Sequence, residues 1–196
     1  MSTDAHVTVS LDGFLAGPDQ SESQPMGRDA MPIHTWHFGE IAPEHAAMAA
    51  DMHAPRGAYV MGRNMFGPVR GPWTGDWRGW WGDEPPYHAP VFVLTHHARE
   101  PLELDGTTFH FVTEGFDAAY AQAREVAGDL DVRIAGGAST VRQALAAGVL
   151  DELTLDIAPV LLGAGERLLD GVTDPGLTPI EVVAGPHATH VRYRIG

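Results

Sequence analysis

Apolar and polar positions along the chain fall into short blocks of two kinds. Apolar runs at residues 58–61 and 91–95, with strand-like stretches at 6–10, 109–112, 131–135 and 153–158, predict β-strands. Runs without polar alternation suit strands covered on both faces, as in parallel sheets. Between them lie stretches of helical character. Residues 43–52 set Ala46, Ala47, Ala49 and Ala50 among longer side chains, and Pro55 and Gly57 stop them. Phe116, Ala119, Tyr120, Ala123, Val126 and Ala127 recur at helical spacing up to Gly128, and residues 139–147 form a helix ended by Gly148. The last blocks, 180–184 and 190–195, predict an antiparallel hairpin through Gly185-Pro186. In its second arm Val191, Tyr193 and Ile195 alternate with His190, Arg192 and Arg194, which predicts one wet face. Strands alternating with helices predict βαβ units and an α/β fold with a mostly parallel central sheet, made mixed by the hairpin.

Length and charge narrow the setting. At 196 residues, one domain over 1–196 is expected. The net charge of −14 repels phosphate backbones and anionic lipid, so neither nucleic acid nor membrane is an expected partner. An anionic cofactor can still bind where main-chain N–H groups and one or two arginines make a local positive site. All 12 basic residues are arginine, which removes Schiff-base chemistry and the P-loop lysine. The absence of cysteine removes thiol nucleophiles, disulfides and thiolate metal sites. Eleven histidines invite a metal reading, but His34 and His37 three apart, and His45 and His53 around a helix, make no H-E-x-x-H motif. No metal is expected. No apolar run of membrane-spanning length and no leading signal pattern occur, so the expected location is cytoplasmic.

The most informative local pattern is the strand 131–135 running through Gly136-Gly137 into a helix. Such a turn admits a ligand to the backbone with no Cβ in the way. The helix behind it aims free N–H groups and a positive dipole end at the same place, and Ser139 and Thr140 add hydroxyls. This arrangement suits a pyrophosphate; it serves equally as a plain strand-to-helix connection. The spacing is not the dinucleotide fingerprint G-x-G-x-x-G.

Val9-Ser10-Leu11-Asp12-Gly13-Phe14, Met61-Gly62-Arg63, Val93-Leu94-Thr95, Ile134-Ala135-Gly136-Gly137 and Pro159-Val160-Leu161-Leu162-Gly163-Ala164-Gly165-Glu166 occur in the order of one family. Together they resemble the dihydrofolate-reductase-like superfamily, in the branch of the reductase domain of the bifunctional riboflavin-biosynthesis deaminase-reductase. The resemblance implies a three-layer αβα fold with NADPH across the C-terminal strand ends. It assigns Gly62, Arg63, Asn64, Thr95, His96, Gly136, Gly137, Ala138, Ser139 and Thr140 to the cofactor, and it implies a homodimer. Many relatives carry an arginine where this chain has His96, and a neutral imidazole grips a 2′-phosphate less firmly than a guanidinium. Without cysteine there is no zinc-deaminase signature, so a stand-alone reductase-like unit is expected.

At the substrate end the resemblance places Leu11, Asp12 and Phe14 beside the nicotinamide, with Asp12 as the candidate to orient substrate or relay a proton. The same Asp-Gly pair can simply form a turn. Trp73, Trp77, Trp80 and Trp81, four indoles within residues 73–81, offer faces for stacking on a heterocycle, or pack a sheet edge or interface. Trp73 and Glu166 join the substrate set, although Glu166 can equally cap a turn. Glu40, Glu44 and Asp51 lie where folate reductases place a carboxylate, and none aligns. Two functions stay open: an NADPH-dependent oxidoreductase acting on a C=N or C=O bond of a small pterin-, pyrimidine- or imine-like substrate, and a non-catalytic nucleotide-binding or ligand-sensing module on the same fold.

Overall fold

A computed structural model of the chain describes every residue except Val69. In chain order its elements are β1 (Thr3–Ser10), β2 (Phe14–Ala16), α1 (Ala46–Met52), β3 (Ala58–Gly62), α2 (Arg63–Phe66), β4 (Val91–Leu94), β5 (Leu102–Leu104), β6 (Thr107–Val112), α3 (Phe116–Ala127), β7 (Val132–Gly136), α4 (Ala138–Ala146), β8 (Glu152–Ala158), β9 (Glu166–Arg167), β10 (Leu177–Gly185) and β11 (Ala188–Ile195). Nine strands make one sheet in the order β10-β11-β8-β1-β7-β3-β4-β6-β5. Its six central strands are parallel. The hairpin β10–β11 closes one edge and β5 the other, all antiparallel to their neighbours. β2 and β9 pair separately.

The apolar runs lie where two-sided burial puts them. Tyr59, Val60 and Met61 of β3, and Val91, Phe92 and Val93 of β4, are all buried. Val7, Val9, Val60, Phe92, Val132 and Ile134 meet α3 and α4 on one face of the sheet. α3 buries Phe116, Ala119, Ala123 and Ala127, while Val126 of the same period points to solvent. The opposite face carries two smaller cores. Phe66 of α2 joins Trp73, Trp77 and Trp81 over Met61, Val93 and Phe109. Nearer the hairpin, Trp36 packs with Met48, Ala49 and Ala188. Helices on both faces of a mostly parallel sheet give the expected αβα layering.

Two features depart from the sequence pattern. β2, β5 and β9, of two or three residues each, leave no periodic signal. The wet face expected on the last strand is wrong for its first member. His190 is fully buried, and its Nδ1 meets Asp156 Oδ1 at 2.7 Å. Arg192 is half-buried against Glu181 and Glu152, which leaves Arg194 as the exposed residue of the three.

Candidate functional site

β3 and β7 are neighbours, and both end in glycine. A Cβ on Gly62 would stand 2.8 Å from Thr140 Oγ1, so only glycine lets the first turn of α4 come against the end of β3. Gly136 has φ +121, a conformation that suits glycine, and the Gly136–Gly137 peptide is cis. Gly137 differs: its φ of −62 is ordinary, and nothing lies within 4 Å of where its Cβ would be. It faces a cleft of about 1040 Å³ at the C-terminal ends of β3, β4, β6 and β7. Within α4 the amides of Thr140 and Val141 return to the Gly137 carbonyl at 3.0 and 3.1 Å. Those of Ala138 and Ser139, ahead of them, are the unmatched donors of a helix start.

Every residue assigned above to a cofactor lines this cleft: Gly62, Arg63, Asn64, Thr95, His96, Gly136, Gly137, Ala138, Ser139 and Thr140. Arg63 Nη1 donates to Thr95 Oγ1 at 3.2 Å, and its guanidinium carbon sits 3.4 Å from the ring centroid of Trp73. Its Nε and Nη2 are buried with no hydrogen-bond partner among the described residues. Burial first, and Arg99 second, pull the Arg63 pKa below its ordinary value. A stacked guanidinium with spare donors calls for an anion.

The substrate set divides. Glu166 lines the cleft and meets Arg70 at 3.7 Å. Asp12, Leu11, Phe14 and Trp73 are not among its lining residues. Asp12 accepts from Ser10 Oγ at 2.6 Å and from the amides of Gly163 and Leu162 at 2.7 and 3.1 Å. These bonds, Ser10 foremost, hold its carboxyl down at about 2 and clasp the β1–β2 turn to the loop after β8. Leu11 is exposed, and Phe14 is buried under the Arg167 guanidinium, leaving Leu15 beside it to reach the cleft. Trp73 buttresses from behind, stacked on Arg63 and donating to the His97 carbonyl at 2.7 Å. Trp80 and Trp81 line the cleft, while Trp77 donates to the Phe66 carbonyl at 2.9 Å. The tryptophan loop thus serves both packing and cleft.

The other end of the cleft was not foreseen. His6 and Thr8 on β1, Arg133 on β7, and His34 and His37 near the 3-10 turn Met31–His34 all line it. His34 Nδ1 and His37 Nε2 are 3.0 Å apart, and burial, the largest cause for each, holds both near 4, so both are neutral at pH 7. Behind this wall runs a polar network. Arg133, almost fully buried, pairs with Asp4 and with Asp51 and donates to the carbonyls of Asp51 and Met52 at 2.8 and 2.9 Å. Arg56 also holds Asp4, at 2.7 Å. Burial works against the Asp4 charge, yet hydrogen bonds from both arginines carry its pKa below the usual value. His6 lies between Asp51 and Asp156, each at 3.1 Å. Asp156 also takes Thr8 at 3.2 Å and His190 at 2.7 Å, and His45 Nδ1 reaches His190 Nε2 at 2.8 Å. Trp36 donates to Thr8 Oγ1 at 3.2 Å. Asp51, the carboxylate of α1, is thereby committed to His6 and arginine. Among the described residues no three His, Asp or Glu side chains are arranged to hold a metal ion, and no helix is long and apolar enough to cross a membrane.

This architecture is that of the dihydrofolate-reductase-like fold. A dihydrofolate reductase from Enterococcus faecalis complexed with NADP(H) superposes with a TM-score of 0.57 at 12% identity, covering 100% of this chain and 96% of that one. A pyrimidine reductase-like protein from Corynebacterium diphtheriae gives 0.57 at 17% identity, covering 100% and 92%. RibD from Acinetobacter baumannii gives 0.62 at 15% identity, and there this chain spans 58% of the longer protein. No curated protein matches it in sequence. The profile of the RibD C-terminal domain matches residues 4–190, and the chain belongs to that family.

Proposed function

We propose that the chain is an NADPH-dependent reductase of a C=N or C=O bond in a small pyrimidine-, pterin- or imine-like acceptor. The observation that carries this reading is the Arg63 guanidinium, stacked on Trp73 in the cleft wall with two nitrogens unbonded. Beside it lie the open face of Gly137 and the first amides of α4. Such donors fit a diphosphate and a further phosphate, and Arg63, bonded to Thr95, supplies the guanidinium that His96 lacks. Family membership and the NADP(H) complex of the folate reductase support the same reading.

In it Gly62, Gly136, Gly137, Ala138, Ser139 and Thr140 hold the diphosphate, while Arg63, Asn64, Thr95 and His96 hold the adenosine side. When bound, the cofactor supplies the hydride. Leu15 and Ala135 also line the cleft. Asp12 acts as a clasp for the turn, not as a proton source. That placement favours one alternative, nucleotide binding without turnover.

Titration with NADPH, followed by tryptophan fluorescence, tests the reading, since Trp80 and Trp81 border the cleft. Saturable quenching in the micromolar range is expected, and its absence at millimolar cofactor overturns the proposal. NADPH oxidation with dihydrofolate, pyrimidinone or imine acceptors separates reductase from silent binder.

A further inference from the structure

We propose that the end of the cleft away from Arg63 takes the acceptor, that His6 is held there as an imidazolium by the two carboxylates that bracket it, and that this fixed cation stabilises the negative charge that reduction creates. The proposal rests on the reductase reading for its chemistry and on hydrogen-bond bookkeeping for its charge.

His6 Nδ1 lies 3.1 Å from Asp51 Oδ2, and His6 Nε2 lies 3.1 Å from Asp156 Oδ1. An ionised carboxylate only accepts hydrogen bonds, so both ring nitrogens must carry hydrogen. Asp51 stays ionised because Arg133, Arg56 and Arg192 stand 3.3, 3.5 and 3.8 Å from its oxygens. Asp156 is fully buried, and its ion-pair partners are His6 and His190, with no arginine among them. A buried carboxylate needs a positive partner. His190 can meet both of its contacts without a charge, with Nδ1–H on Asp156 at 2.7 Å and Nε2 accepting from His45 Nδ1–H at 2.8 Å. The charge falls on His6. Burial opposes it, but Asp156 and Asp51 outweigh burial and raise the His6 pKa.

The groups facing His6 are Asp51 of α1, Asp156 of β8 and Arg133 of β7, with His37 across the cleft wall. His6 and Thr8 share one face of β1 and line the cleft, while the side chains of Val7 and Val9 belong to the core under α3 and α4, Val7 also bordering the cleft. In the reaction the acceptor carbon takes a hydrogen with its electron pair from the reduced nicotinamide, which is left oxidised. The π pair of the C=N or C=O bond moves to nitrogen or oxygen, and that atom takes a proton from water. A preset cation near the developing anion lowers the barrier without reorganising. Both N–H groups of His6 are committed, so it gives no proton itself; it is a positioning residue that acts through charge.

The test combines a spectrum with kinetics on the full chain. In ¹⁵N-histidine-labelled protein, one ring with both nitrogens protonated is expected to persist above the ordinary histidine value of about 6.5, and it disappears in His6→Gln. The turnover of His6→Gln falls at least about tenfold, while its NADPH affinity stays within about twofold of wild type. Asp51→Asn serves as the second variant should His6→Gln fail to fold: its His6 loses the second proton at a lower pH than in wild type, and its turnover drops with it. A His6 that loses its second proton at or below the ordinary histidine value of about 6.5, or unchanged turnover in a variant that has lost the cation, overturns the proposal. A wild-type chain that shows the imidazolium yet oxidises no NADPH sinks the reductase reading instead, and the catalytic half of this proposal with it.

Discussion

The two ends of the cleft are built from different materials. The cofactor end is made of backbone: two glycine strand ends, the first amides of α4, and one stacked arginine. The acceptor end is made of side chains, with Asp4, Arg56, Arg133, Asp51, His6, Asp156, His190 and His45 linked by hydrogen bonds or ion pairs. Backbone donors are neutral when empty and lose little by waiting for a ligand. Buried side-chain charges must satisfy one another at once. Damage at the cofactor end should therefore cost little stability, and damage at the acceptor end more.

Arg133→Met is the sharpest way to break that contrast. Removing the guanidinium leaves Asp4 and Asp51 short of a partner in a largely buried place, and breaking such a pair costs about 3–5 kcal/mol. Urea unfolding should show a loss of that size in the midpoint at unchanged slope. A cost under about 1 kcal/mol, the range of exposed pairs, would mean that the network contributes nothing special.

At the cofactor end Gly137→Phe should do the reverse. The backbone there is ordinary and the space beside it is open, so stability should stay within about 1 kcal/mol of wild type. The phenyl ring occupies the place offered to the diphosphate, and NADPH affinity should drop at least about a hundredfold, or about 2.7 kcal/mol. Fluorescence titration beside the urea curve checks both halves. Unchanged affinity would place the ligand elsewhere.

Arg63→Leu sharpens the comparison within the cofactor end. If the unpaired guanidinium serves the phosphate that distinguishes NADPH, affinity for NADPH should weaken roughly 10–100-fold and that for NADH less than about threefold. Equal losses for both cofactors would assign Arg63 to the diphosphate.

This division also explains what could be read from the chain in advance. Local features were legible. The helix of residues 116–127 shows its period, and Gly136-Gly137 followed by Ser139 and Thr140 announces a strand-to-helix turn within a few residues. Gly62-Arg63, Thr95 and His96 needed the family resemblance, because their meeting depends on β3, β4 and β7 being neighbours. The acceptor network was illegible. His6 and Asp156 are 150 residues apart, His45 and His190 145, and no periodicity marks a histidine that will find a carboxylate across a sheet. Its one trace was His190, set among arginines on a face expected to be wet. A histidine there, with Asp156 inside an apolar strand, could have raised the thought of a buried pair. Asp12 is a motif position carried over from relatives, and its carboxylate here accepts from the amides of Leu162 and Gly163.

The smallest expected effect is on acid stability, where the acceptor end contains opposed titrations. His34 and His37 stay neutral in the folded protein down to about 4, chiefly through burial. The unfolded chain protonates them near the ordinary histidine value of about 6.5. Between those values the unfolded state binds more protons, so both residues cost stability as pH falls. His6 has the opposite sign: its raised pKa gives a contribution fully present below about 6.5, lost only as pH climbs through its folded value. Asp4 and Asp156, with lowered pKa values, contribute above about 3.8 and give way at still lower pH. Between about pH 6.5 and about pH 4 the His6 contribution is constant, so the two depressed histidines predict a net decline there. The double variant His34→Gln/His37→Gln should flatten that limb while leaving the alkaline limb, set by His6, in place. Urea midpoints at about pH 7 and about pH 4.5 measure the difference, and an equal slope in both proteins would mean that the histidine pair is open to water and that the acceptor end is wetter than its packing implies.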